Sequence, residues 1–399
     1  MMAKHFFLLF YFIATPISLI QAKSMSCLSN YIQKYSEKEA IGLQIFDHQL
    51  QALQKNLELI SKKVSNSSHS EDSEYLLAEQ VLSSPLRVQF FKLQALARMF
   101  EKIYDDVPEI TSLKELFKKF EDLIGRVDLQ QGIHKSVKPL NIPLLNKYFE
   151  DKKIAAMAML QAELEKTKML SNPKDFIREI EKKLYSIALW KDINEASSKE
   201  EKQKLVHKEL KRIAKHLAKE AKKLEEKIED KEFTQNDIEL NFHELRRKLR
   251  WLVIEIQSLS GLIQYEMSES RNPRIETLYR KMIIENPNLV DSSFLDINPP
   301  EIEHPILIPK VPLAMISELV SQIGYKKDIA EKQIYTLEGL NFLSMDAQDI
   351  QQIINKLNEK LKVSKIIDHV ALSADYQELI KTSELLTQFA ESIESLNDL

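Results

Sequence analysis

A single cysteine, Cys27, stands in 399 residues, so the chain has no intrachain disulfide and no multi-cysteine zinc site. Six glycines are about a quarter of the usual ~7% share, which makes β-hairpins and tight βα turns scarce and helices joined by polar loops the expected fabric. Neither sign of charge dominates. The 56 Lys and Arg against 60 Asp and Glu leave a net charge of -4, which argues against a general nucleic-acid binder. Phosphate-loop (G-x-x-x-x-G-K-[ST]) and nucleophile-elbow (G-x-S-x-G) motifs are missing, as are histidines paired at i,i+4 beside a carboxylate. No solenoid-type short repeat occurs. The expectation is therefore a protein without a catalytic site, metal site or cofactor, held together by its hydrophobic core.

The N-terminus reads as an export signal. "MMAK" supplies positive charge, "FFLLFYFIATPISLI" an apolar run broken by Pro16, and "IQAKS" a small residue, Ala22, for cleavage. The run is shorter than the ~20 residues of a spanning helix. A Sec-type bacterial signal, a periplasmic or secreted mature protein and no transmembrane span after cleavage are expected. "SMS" before Cys27 lacks the aliphatic residue of a lipoprotein signal, which disfavours a lipid anchor.

Helical periodicity with polar or proline-rich breaks predicts an all-α fold of helical bundles. Residues 23–74 read as an N-terminal helical extension and 75–285 as the main helical domain. A proline-rich linker (286–312) and a helical C-terminal region (313–399) follow. Leu86, Phe90, Leu93, Ala97 and Phe100 mark one apolar face, and Ser112 with Glu115 forms a capping box that predicts a helix start. Further helices are expected at 146–168, 174–194, 199–231, 238–268, 313–323, 326–338, 346–362 and 374–396.

Cations are concentrated in two of these helices. On a 100° wheel His243, Arg246, Arg247 and Arg250 fall within roughly 100° of arc, opposite Leu245, Leu249, Leu252, Ile256 and Leu259. Lys204, Lys208, Lys211, Lys215, Lys219 and Lys222 form a second stripe, with Val206, Leu210, Ile213, Leu217 and Leu224 on the buried side. Such stripes are ordinary on solvated faces. They also suit polyanionic oxygens, which guanidinium groups grip in pairs and lysines attract as point charges.

"HELRRKLRWL" (243–252) resembles the opening helix of a half of the CHAD domain, the conserved histidine α-helical domain. His243, Arg246 and Arg250 stand at that family's offsets of zero, three and seven. "SPLRVQFFKLQALARMF" (84–100) resembles the equivalent helix of the first half, keeping Arg87 and Lys92, and "FKKFEDLIGRVDLQ" resembles the segment after it. Ser84, Phe91, Gln94 and Val253 depart from the pattern. The resemblance, over about 75–285, implies two pseudo-symmetric bundles around a basic groove and a polyphosphate-like ligand. The anion-binding set it suggests is His243, Arg246, Arg247, Arg250, Arg87 and Lys92, assisted by Lys204, Lys208, Lys211 and Lys215.

"EIEKK" (179–183) matches the E-x-E-x-K pattern of triphosphate-tunnel enzymes, but that pattern belongs on a strand and these residues have helical spacing. His207 and His216 lie about 180° apart on one helix and cannot share a metal. Trp190 and Trp251 read as core or bundle-edge aromatics. Two functions follow as expectations: a non-catalytic receptor for a phosphate-rich polyanion, or an envelope protein-interaction module whose anion site has decayed and whose C-terminal helices dock a partner.

Overall fold

The computed structural model describes residues 39–67, 74–105, 107–229, 238–259, 262–266 and 306–361. The fold is all-α, relieved among the described residues by one pair of four-residue strands. The expected signal peptide and the 374–396 helix lie outside the described residues.

Helix α1 (Ile41–Ser67) lays Phe46, Leu50, Leu53, Leu57 and Ile60 into the core at alternating four- and three-residue steps. After α2 (Leu76–Leu82), α3 (Leu86–Tyr104) and α4 (Pro108–Val137) form an antiparallel hairpin, with Phe90 stacked on Phe120 at 5.0 Å. The apolar face predicted for α3 is buried throughout. Helix α4 begins four residues before Ser112, because proline is tolerated in a first turn whose N–H groups have no intrahelical partner. The Ser112 hydroxyl instead accepts from Lys183 Nζ.

A 3-10 turn (Lys138–Leu140) leads to α5 (Pro143–Thr167). The single helix expected at 174–194 is two, α6 (Pro173–Tyr185) and α7 (Ala188–Asn194), broken where Ile187 turns extended. Beyond that break Trp190 is fully buried against Phe46, Phe100 and Tyr104. Helix α8 (Lys199–Glu229) buries the predicted Val206, Leu210, Ile213, Leu217 and Leu224.

Helix α9 (Ile238–Ser258) stops ten residues before the predicted end. Ile263–Glu266 forms strand β1, parallel to β2 (Ile306–Pro309) from within the expected linker. Helices α10 (Lys310–Phe342) and α11 (Ala347–Lys360) follow, the latter capped by the Asp346 carboxylate on the Gln348 and Asp349 amides. Helix α10 is continuous through Gly324, where two helices were expected, and it packs on α9, α4 and α5. The large core is drawn from α1 to α9, with Ile263 of β1 and Val320 of α10. A smaller one joins Ile133, Val137, Leu145 and Phe149 to Leu340, Ile353, Ile354 and Leu357.

Glycine scarcity shows in how turns are made. The left-handed turn positions among the described residues carry Asp105, Asn141, Lys168 and Ser344 rather than glycine. Gly42, Gly125, Gly324 and Gly339 sit inside helices, where a Cβ would meet a neighbouring side chain at 3.0 Å or less. Glycine here allows close approach.

Candidate functional site

The two helices whose sequences carry the paired motifs, α3 and α9, pack directly on one another. Phe91 of α3 meets Trp251 of α9 edge-on at 5.9 Å, and the Arg98 guanidinium lies 4.4 Å above the Trp251 ring. Trp251 is thus a bundle-edge aromatic and Trp190 a core one, as expected. The Arg87 and Arg250 guanidiniums approach Phe91 at 5.5 and 4.3 Å. The Phe91 ring therefore fills the space between two arginines from different helices.

Those arginines are engaged. Arg87 donates through Nε and Nη2 to Glu121 Oε1 at 3.1 and 3.0 Å, and through Nη1 to Asp128 Oδ2 at 2.8 Å. Arg246 donates from Nε to the Val320 carbonyl at 3.2 Å and lies in the field of Asp328 and Glu331. Burial lowers the proton affinity of both Arg246 and Arg250. Neighbouring Arg246 and Arg87 lower that of Arg250 further, and Glu121 and Asp328 oppose the shift. Glu121 is pushed upward by burial against the pull of Arg87. Three guanidiniums converge, and carboxylates of α4 and α10 meet them. A part-buried network of this kind, with its charges matched, fixes how helices register more than it attracts a ligand.

The same contact occurs twice. Arg87 of α3 lies across Gly125 of α4, and Arg246 of α9 lies across Gly324 of α10. In each case a Cβ on the glycine would sit 2.4 Å from Nη2. Asp128 follows the first glycine by three residues and Asp328 the second by four. Both contacts share one arrangement: an arginine resting on a bare stretch of a neighbouring helix, with an acid one turn beyond the glycine.

The remaining residues of the proposed set divide. The His243 side chain lies outside the described residues. Arg247 is exposed and Lys92 half-buried, and each has an interaction partner. Ser84 accepts from the Leu86 amide at 3.3 Å and donates to the Val81 carbonyl at 2.6 Å, so it shapes the entry to α3. Gln94 and Val253 are buried, Gln94 with its amide oxygen unpartnered.

Helix α8 behaves differently. Lys204, Lys208, Lys215, Lys219 and Lys222 are exposed and Lys211 half-exposed, so the stripe faces water along its length. Eighteen residues at ~1.5 Å rise separate its ends by about 27 Å. Part of it borders an open groove of about 440 Å³ between the last turn of α3 and α8. Lys102, Arg212, Lys215, Lys219 and Lys223 line this groove with His216, against the acids Asp105 and Glu220. Sequence spacing could find Lys215 and Lys219. It could not find Lys102, which reaches the groove from a helix more than a hundred residues away.

Behind the groove lies a buried carboxylate. Glu209 accepts from the Ile41 and Gly42 amides at 2.9 and 3.2 Å, from the Tyr104 hydroxyl at 2.6 Å and from Trp190 Nε1 at 2.8 Å. Burial pushes its proton affinity up while these four donors resist. It satisfies amides of the buried first turn of α1, where negative charge is favoured, and ties α1, α3 and α7 to α8. The Arg212 guanidinium of the groove lies over the Tyr104 ring at 5.7 Å. His216 faces Glu255 of α9 at 3.3 Å.

Among the described residues no group of three His, Cys, Asp or Glu side chains is placed to hold a metal, and no helix is long and apolar enough to cross a membrane. The E-x-E-x-K residues lie on α6, away from any strand. Comparison with protein-family models, curated proteins and solved structures gives no match.

Proposed function

We propose that the chain is an exported, non-catalytic receptor for a phosphate-rich polyanion of the polyphosphate kind, divergent from the CHAD-like proteins it resembles, with its contact surface on α8 rather than on the arginine cluster. The observation that carries this reading is the open run of lysines on α8 beside a groove in which basic side chains outnumber acids. A flexible chain of phosphates needs repeated cations at short intervals and no deep cavity. Lysines stepping by three and four along about 27 Å supply that, through an attraction that weakens as salt rises. The arginines support the reading indirectly, by locking α3 to α4 and α9 to α10 so that α8 has a rigid bed. Titration with long-chain polyphosphate at ~50 and ~200 mM salt tests it, because a loss of affinity of tenfold or more between the two is expected for several phosphate contacts. Salt-independent binding, or none at the lower salt, removes the reading.

A second reading, a protein-interaction module of the envelope, is favoured by the neutralised arginines and by Tyr325 and Phe342 on α10, which are 64% and 71% exposed. Deleting 313–399 would strip α9 of its packing, so the informative variant is Tyr325→Glu/Phe342→Glu, scored by retention of envelope proteins. Unchanged retention counts against this alternative.

A further inference from the structure

The groove between α3 and α8 already holds an anion, and that anion belongs to the protein. Glu220 places one carboxylate oxygen 2.9 Å from Lys102 Nζ of α3 and the other 3.2 Å from Lys223 Nζ one turn along α8. Burial pushes this carboxyl up, but the two ammonium groups outweigh it and hold it below the usual range. A simple helix-to-helix latch would need one lysine. Here Arg212, Lys215 and Lys219 border the same space at steps of three and four residues, and Lys215 and Lys219 make no ion pair with any described residue. Positive charge exceeds what Glu220 and Asp105 neutralise.

We propose that this groove is a discrete site for a compact, multiply phosphorylated anion, and that Glu220 is a built-in competitor whose carboxylate occupies the place of one phosphate group. A phosphate brings more oxygens and more charge than a carboxylate to the same ammonium groups, so a ligand with two or three linked phosphates displaces Glu220 and recruits Lys102 and Lys223 with Lys215 and Lys219. About 440 Å³ suits such a molecule and not a long chain. The site rests on the polyanion reading for its ligand chemistry but makes a separate demand: a short ligand must bind by itself, and removing one acid must tighten it.

Calorimetric titration with inorganic triphosphate at ~50 mM salt, beside long-chain polyphosphate, tests this. Glu220→Gln should tighten triphosphate binding about tenfold and Lys215→Ala/Lys219→Ala should weaken it about tenfold, as expected for one or two charge-assisted contacts. Glu179→Gln, an equal change of charge on α6 outside the groove, should leave the affinity within about twofold. Equal tightening by Glu220→Gln and Glu179→Gln overturns the competitor role, since net charge alone would then account for it. Long-chain polyphosphate binding with no triphosphate binding in any variant overturns the groove site and leaves the α8 surface standing. Failure of both ligands overturns both readings.

Discussion

The Arg246 guanidinium rests on the bare backbone of Gly324, so close that a methyl group there would lie 2.4 Å from Nη2. Glycine inside a helix normally weakens it, and replacement by alanine gains about 0.5–1 kcal/mol. Here the guanidinium tip must swing aside and strain its hydrogen bond to the Val320 carbonyl, a loss of about 0.5–1.5 kcal/mol that offsets the gain. Gly324→Ala should therefore gain nothing or lose up to about 1 kcal/mol in urea unfolding, whereas in an Arg246→Ala background the same change should stabilise the protein by about 0.5–1 kcal/mol. The Gly125→Ala and Arg87→Ala pair should repeat this difference. Equal effects in both backgrounds would mean that the arginine does not press on the glycine.

Glu209 leads to the second prediction. Its loss in Glu209→Ala leaves two backbone amides, the Tyr104 hydroxyl and the Trp190 indole without their acceptor in the core. Unsatisfied buried donors cost about 1–3 kcal/mol each before relaxation, so a total loss of about 3–5 kcal/mol is expected. Glu209→Gln keeps one acceptor oxygen and should lose less. The near-ultraviolet circular dichroism of Trp190 reports the change, and a spectrum and stability like those of the unaltered protein would refute the anchoring role.

A pH dependence follows from Asp47. Burial raises its carboxyl to about 6 from 3.8, the hydrogen bond from Tyr185 opposes the rise, and Glu39 and Glu181 add to it. The Tyr185 hydroxyl lies 3.0 Å from carboxylate oxygens of both Glu39 and Asp47 and can donate to only one of them at a time. The folded state holds this proton more tightly than the unfolded chain does. Its stabilising contribution is therefore complete below pH ~4 and fades as pH rises through about 6. Solvent screening of this half-exposed group limits the effect to about 1 kcal/mol. Unfolding measured between pH 4 and 7 should lose that much in the parent and not in Asp47→Asn; parallel curves would contradict the assignment.

Most of the helical fabric was legible because apolar period and burial coincide, as the predicted faces of α3 and α8 show. Four features were not. Gly324 read as a helix break because its use, accommodating an arginine from another helix, depends on a contact made far along the chain. Ile263–Glu266 and Ile306–Pro309 are too short, and too dependent on each other, for periodicity to mark them. The arginine cluster was found as a set, but its carboxylate partners lie on α4 and α10, so sequence showed the cations and not their neutralisation. Lys102 and Glu220 meet only because α3 and α8 are neighbours, and no local signal joins them.

Ligand-accessible positive charge resides on α8, while Arg87, Arg246 and Arg250 are engaged by carboxylates, a carbonyl and the Phe91 ring. The most direct measurement is the affinity for long-chain polyphosphate of Lys208→Ala/Lys215→Ala/Lys219→Ala and of Arg250→Met, each across a salt series. The lysine variant is expected to lose about tenfold or more and to flatten the salt slope by about 2, at ~0.7 for each lost contact. Arg250→Met is expected to lower unfolding stability and keep its affinity within about twofold, as a residue held against Phe91 and Glu121 should. Full binding by the lysine variant, together with loss of binding by a folded Arg250→Met, would contradict the account.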